Sequence, residues 1–413
     1  MARPSGLPRQ LLPVLDQGLS SGSNFLAVLV IAGVLSAEDF GVFAISFTAL
    51  TLFVGMTRSY LGVPLALRAR DGEPALRAGY DESVSAILLI ALPVAVLVVG
   101  SGLSLAAAGT AFSSVSITAV IAVGVATPML MVQDISRYFA IGRGTPGAAI
   151  ASDAAWFLGV VGLFAIRDLV SAEMLLVGWV LVIAVSLSLH LLRFRPVANL
   201  RHGARLLVPR RGLRESLTAS VLMATGVTLL MGLLMGPFLG PAAVAAIRGA
   251  GTLFGPINML MAVLDLSVLG VLARRPAGTD RFPILAVAAL FSLISAVWAV
   301  ALLLIPADVG TLILGETWIG ARGVLPITSI EYVLLCIAAV FSLGLKLRSL
   351  ARPLFVNRAV ASIVILTSAA IALFLGAGVE WMAVALLAGA VVSCVGMVFS
   401  VGRAWRTPAV QTG

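Results

Sequence analysis

Two arginines of this sequence, Arg58 and Arg248, stand inside long apolar runs. A guanidinium carries five N–H donors in a planar fork that matches the oxygens of a carboxylate or a phosphate. Buried in apolar surroundings, such a group either holds an anionic ligand or pairs with an acid. Arg58 lies in VGMTRSYLGVPL, residues 54–65, nine residues before Leu67. That places it ~13 Å from the end of its helix. Facing lipid there costs at least ~2.5–3.5 kcal/mol, and the distance is long for snorkelling. Thr48, Thr51, Gly55, Arg58 and Gly62 are spaced three or four apart and are expected to share one small, polar helix face. Arg58 is therefore expected to point into the bundle or a wet cavity, the alternative being a fixed ion pair between two helices. Arg248, in AAVAAIRGAGTLFGPINML, is closer to the end of its run, where snorkelling is easier. Arg248, Thr252, Gly255 and Met259 again follow helical spacing.

The remaining intramembrane polar groups fall into two sets. In LDQGLSSGSNF, the residues Gln17, Ser20, Ser21 and Asn24 lie on one face, which suits either helix–helix hydrogen bonding or a cavity wall. Arg58, Arg248, Gln17, Asn24 and Thr51 are the expected substrate contacts. The carboxylates Asp16, Asp134, Asp153, Asp265 and Glu331 are candidates for a coupling proton or sodium ion, with Asp16 foremost. Structural pairing is the plainer reading of each, and Asp134 has Arg137 three residues on. Pro93, Pro128, Pro237 and Pro256 interrupt spans and suit kinks.

Several chemistries are excluded. The sole lysine, Lys346, follows Leu345, so no Gly-x-x-x-x-Gly-Lys phosphate loop exists. There is no HExxH, GxSxG or Cys/His arrangement, and no catalytic residue, metal site or cofactor is expected. Cys336 and Cys394 lie far apart within apolar spans and read as small packing residues.

The elements that position these groups follow from composition. Of 413 residues, 60% are hydrophobic and 11% charged, with mean hydropathy +1.12. A water-facing surface needs roughly 25% charged residues. Apolar runs of about 20 residues recur along the chain, as in a helical membrane protein. About twelve spans are expected, near 11–35, 40–67, 84–104, 114–137, 148–166, 174–192, 216–238, 242–272, 283–305, 324–345, 357–376 and 380–402. Twenty-three of the 27 basic residues then fall in loops on one side and two on the other. By the positive-inside rule both termini are cytoplasmic. The net charge of +9 belongs to these short loops, which excludes a nucleic-acid partner. The basic segment 193–215 divides the chain into lobes 1–192 and 216–413, six spans each, a layout recurrent in transporters. Anionic membrane lipids are a second reading for that segment.

Four stretches resemble bacterial polysaccharide-export flippases of the multidrug/oligosaccharidyl-lipid/polysaccharide (MOP) exporter superfamily. They are LDQGLSSGSNFLAVLVIAGVLSAEDFGVFAISF, MVQDISRYFAIGRGTPGAAIASDAAW, AAIRGAGTLFGPINML and LILGETWIGARGVLPI. The resemblance implies an all-α integral membrane protein of two six-helix lobes around a central cavity, working by alternating access. It implies a polyprenyl-diphosphate-linked oligosaccharide as substrate, moved to the outer leaflet of the bacterial plasma membrane for cell-surface polysaccharide synthesis. The partners it implies are that glycolipid, membrane lipids, and polysaccharide polymerase or glycosyltransferases. In related lipid II flippases, cavity arginines of the second and eighth spans contact the diphosphate, and Arg58 and Arg248 fall on those spans. The basic residues of the family's first span are replaced here by Asp16 and Gln17, which favours a glycolipid other than the peptidoglycan precursor. A cation-coupled multidrug exporter and a non-transporting scaffold of an export system are the alternatives.

Overall fold

The computed structural model describes residues 12–109, 112–208, 213–264, 281–348 and 350–406, and every regular element among them is helical. Among the described residues, ten helices are long and apolar enough to cross a membrane: 37–71, 73–108, 114–142, 146–166, 172–194, 217–239, 281–303, 317–347, 352–374 and 379–406. These are ten of the twelve expected spans, several of them longer than expected. The first span is α1 (Leu12–Ala32), whose apolar part Gly18–Ala32 is shorter. The eighth is broken in two and is described below. The chain is thus a multi-pass membrane protein.

The local sequence explains where the helices begin and end. Ser36 caps the helix α2 (Ala37–Thr57), its hydroxyl accepting from the Asp39 amide at 3.1 Å. Ser113 caps α5 (Ser114–Gly142) in the same way, accepting from Ser116 N at 2.8 Å. Such caps satisfy amides that the first helical turn leaves unpaired. Asp39 also accepts the hydroxyls of Ser113 and, at 2.5 Å, Ser116, so one carboxylate joins the starts of α2 and α5. At the far end of α5, Gly144 takes φ +76° and Thr145 N bonds back to Ala140 O, closing the helix in a left-handed turn that glycine enters without strain. Pro146 then opens α6 (Pro146–Ile166).

The second span is continuous but not uniform. After α2 come a π-turn, Arg58–Gly62, and then α3 (Val63–Arg68). Val63 N bonds to Arg58 O, five residues back. Pro64 follows and has no amide to donate, and a widened turn accommodates its ring. The extra residue rotates everything beyond it by roughly 100°. The expected single stripe is accordingly split. A Cβ at Gly55 would meet Val221 on α9 (Leu213–Leu239), whereas one at Gly62 would meet Tyr138 on α5.

The third span, α4 (Glu73–Gly109), has 37 residues and extends well beyond its apolar part. Its polar first turns receive the basic linker that follows α7 (Ala172–Phe194). Arg77 donates to the carbonyls of Phe194 and Arg195, Asp81 accepts from Val197 N at 3.0 Å, and Ser85 Oγ accepts from Asn199 N at 2.8 Å. These three side chains are spaced i, i+4, i+8, one face of α4. The linker then forms α8 (Leu200–Leu207), capped by Asn199. A Cβ on Gly203 would stand 2.6 Å from the carbonyl carbon of Ser85, so only glycine lets the two backbones approach this closely. Arg214 closes the other end of α8, donating to Leu206 O and Val208 O and lying over the Tyr60 ring at 4.7 Å.

By packing, the chain falls into two compact units, residues up to Val244 and residues from Ala245 onward. The linker and α9 are counted with the first. Small residues set the helix spacing there, as membrane bundles require: a Cβ at Gly41 would lie 2.0 Å from Pro241 O. Tyr80 and Phe139 stack at 4.4 Å, with Phe194 edge-on to both. The second unit contains α10 (Pro241–Leu253) from residue 245 on, α11 (Gly255–Val263), α12 (Arg281–Leu303), α13 (Ala307–Leu314), α14 (Thr317–Leu347), α15 (Ala351–Phe374) and α16 (Val379–Arg406). Its central helix, α14, packs on α12 and α16. Cys336 and Cys394 are buried free thiols, as expected of packing residues.

Candidate functional site

The intramembrane charges of the first unit form one connected network. Arg58 opens the π-turn and grips Asp134 of α5 with both arms of its fork, Nε to Oδ2 at 3.1 Å and Nη2 to Oδ1 at 2.8 Å. This bidentate geometry gives the strongest form of charge-assisted hydrogen bond. One turn further along α5, Arg137 reaches Asp134 Oδ1 at 3.4 Å, Ser20 Oγ of α1 at 3.0 Å and Asp153 Oδ2 of α6 at 3.1 Å. Gln133 Nε2 lies 3.4 Å from Asp153 Oδ1 and donates to Ser186 Oγ of α7 at 2.8 Å. Ser186 and Ser152 exchange further hydrogen bonds. Five spans are joined in this way, and the two arginines balance the two aspartates.

Accessibility changes along the network. Asp153 and Arg137 are buried, and the Asp134 side chain is 6% exposed, but that of Arg58 is 40% exposed. Arg58 is thus ion-paired to another helix, the alternative expected of it, and its side chain is also partly exposed.

In the second unit the eighth span breaks. α10 ends at Leu253, Phe254 leaves helical geometry, and α11 starts at Gly255 with Pro256 in its first turn. The broken turn exposes carbonyls, and side chains capture two of them. Tyr332 Oη donates to Gly251 O at 3.2 Å and Trp298 Nε1 to Leu253 O at 3.0 Å. Phe254 stacks on Tyr332 at 4.3 Å, and Asn258 Nδ2 donates to Tyr332 Oη at 3.3 Å. Breaks of this kind are tolerated inside a membrane only where the freed backbone finds partners. Arg248 is half-buried on α10, and its carbonyl accepts from Thr252 Oγ1 at 2.7 Å.

The other expected residues separate. Thr51 is half-buried and donates to Thr48 O at 2.8 Å, within its own helix. Asn24 is half-buried and donates to Ser20 O at 3.1 Å. The side chains of Asp16 and Gln17, and all of Asp265, lie outside the described residues. Glu331 on α14 is 9% exposed and forms no ion pair among the described residues. Asp134 and Asp153 are both bound by arginine. Arg137, counted above with the loop charges, is instead a buried member of the network. Gln133, Ser152 and Ser186 were not singled out. The signal for Gln133 and Arg137 was their i, i+4 spacing around Asp134, whereas no local pattern marks the two serines.

No protein-family model and no curated protein matches this sequence. Solved structures do match. One is the lipid II flippase MurJ in an inward closed conformation, with TM-score 0.69 and 12% identity over 95% of this chain and 87% of that one. Another is an inward-facing multidrug resistance MATE family transporter of the MOP superfamily, with TM-score 0.65 and 15% identity over 95% and 96% of the two chains. A third is the eukaryotic MATE transporter AtDTX14, with TM-score 0.58 and 14% identity over 96% and 97%. The chain has a MOP-type fold. That fold is shared by a flippase and by drug transporters, so it does not select a substrate.

Proposed function

We propose, for a membrane protein of this fold, that the chain is a transporter that flips a polyprenyl-diphosphate-linked oligosaccharide to the outer leaflet of a bacterial plasma membrane. The observation that carries this reading is the bidentate Arg58–Asp134 pair with its open guanidinium. A diphosphate cannot cross ~30 Å of hydrocarbon alone. An intramembrane arginine presents the donors its oxygens need. In the unloaded protein Asp134 neutralises Arg58, and the incoming diphosphate takes the place of that carboxylate. Arg248, an arginine within an apolar run of the second unit, is assigned a parallel role on the broken eighth span. The lipid tail stays in the bilayer while the head group passes.

The test is binding of a labelled polyprenyl-diphosphate oligosaccharide to the protein in nanodiscs, followed by flipping in proteoliposomes. Loss of one charge-assisted contact of about 1.5–3 kcal/mol weakens binding about ten- to one-hundred-fold in Arg58→Ala. Normal binding and flipping by the Arg58→Ala/Arg248→Ala double variant would reject the reading.

A second reading, cation-coupled drug export, is favoured by Glu331, an intramembrane acid with no ion-pair partner among the described residues. On that reading Glu331→Gln abolishes drug-induced proton or sodium movement while Arg58→Ala leaves it intact.

A further inference from the structure

The exposed apolar side chains of α4 and α7 mark the edge of the lipid-facing band. On α4 the band starts at Leu88 and Leu89 and continues through Leu92, 74% exposed, to Leu97. On α7 it ends at Leu192, 71% exposed, immediately before the exposed Arg193. α8 lies at that edge. Its Gly203 abuts the Ser85–Ala86 backbone, and Ser85 is three residues from Leu88, ~4.5 Å along the helix.

The orientation of α8 is fixed by the same contact. Gly203 faces α4, and Arg201 and Arg205, two residues to either side, lie roughly 160° away around the helix. Both arginines are exposed, and neither forms an ion pair among the described residues. Exposed Val197, Leu200 and Val208 flank them. Basic and apolar side chains together at the water–hydrocarbon boundary are the composition of a helix that lies on a charged membrane surface. The clasp of Arg77, Asp81 and Ser85 holds the segment there before any ligand arrives.

We propose that α8 is a binding surface for anionic membrane lipids, with Arg201 and Arg205 contacting the head group phosphates and Val197, Leu200 and Val208 the upper acyl region. The positive charge of this face and its depth at the edge of the apolar band together select a lipid, and one of negative charge. The inference is independent of the transported substrate.

The test titrates the full-length protein in neutral detergent with phosphatidylglycerol or phosphatidylcholine and counts bound lipid by native mass spectrometry. The wild type binds phosphatidylglycerol more tightly. Each arginine near an anionic surface contributes about five-fold, so Arg201→Ala/Arg205→Ala weakens phosphatidylglycerol about twenty-five-fold and leaves phosphatidylcholine unchanged. Arg201→Lys/Arg205→Lys, which keeps both charges, retains most of the affinity. Equal affinity of the wild type for the two lipids, or wild-type phosphatidylglycerol binding by the alanine variant, overturns the proposal. Displacement of the lipid by equimolar inorganic phosphate overturns it too, because it assigns the face to a soluble anion.

Discussion

The two partners of the Arg58–Asp134 pair differ in exposure, so removing one is not equivalent to removing the other. Breaking a buried pair costs about 3–5 kcal/mol when it strands an unsolvated charge. Arg58→Ala strands Asp134, which is 6% exposed and keeps only the 3.4 Å contact to Arg137. That remaining contact lowers the expected cost to about 2–3 kcal/mol. Asp134→Asn strands Arg58, whose side chain is 40% exposed and can be solvated, while Arg137 retains Asp153 at 3.1 Å. The cost there is discounted to about 1 kcal/mol. Reversible unfolding in mixed micelles, followed by tryptophan fluorescence, measures both variants and their double. Arg58→Ala is the less stable single variant, and the double is more stable than the two costs added predict. In the same set Asp134→Asn binds the diphosphate glycolipid more tightly than wild type, because the competing carboxylate is gone, while Arg58→Ala binds it less. Equal destabilisation by both single changes, or parallel loss of binding in both, would refute the view of Asp134 as a displaceable partner.

Three further outcomes follow from the packing. Tyr332→Phe removes the donor to Gly251 O and the acceptor for Asn258. It should cost about 1 kcal/mol per lost bond and speed amide exchange around the 251–255 break, and unchanged exchange would show that the capture is incidental. Gly203→Val drives a side chain into the Ser85–Ala86 backbone, so α8 undocks and trypsin cuts at Arg201 and Arg205 faster than in wild type. Gly41→Ala, whose Cβ would lie 2.0 Å from Pro241 O, should fail to give monodisperse protein. Gly100→Ala, with nothing within 4 Å, should fold normally and gain up to about 1 kcal/mol from helix propensity; equal behaviour of these two variants by size-exclusion chromatography would contradict the close approach.

The spans were legible because apolar length is a local property; their polar ends were not, and the second and third helices begin at Ala37 and Glu73, ahead of the expected 40 and 84. The inward direction of Arg58 was also legible from its depth. Its partner was not. Asp134 is 76 residues away, and helical spacing could offer Asp134 only the nearby Arg137. Arg137 itself sits at the end of an apolar run, where a loop charge and a buried one look alike. The break at Phe254 leaves no gap in the hydrophobic run, and only Gly255 and Pro256 hint at it. The π-turn was missed because an assumed 3.6-residue period carries across Pro64 without registering the extra residue.

The shared cap at Asp39 has a mechanical consequence. α2 and α5 leave that carboxylate together and meet again at Arg58 and Asp134, 19 and 18 residues later, a run of ~28 Å on either side. The two helices are thus tied at both ends, by a carboxylate at one and an ion pair at the other, with packed faces between them. A relative tilt of roughly 5° about the Asp39 end would carry Arg58 ~2.5 Å, enough to part a contact of hydrogen-bond length, and it would have to repack that shared face as well.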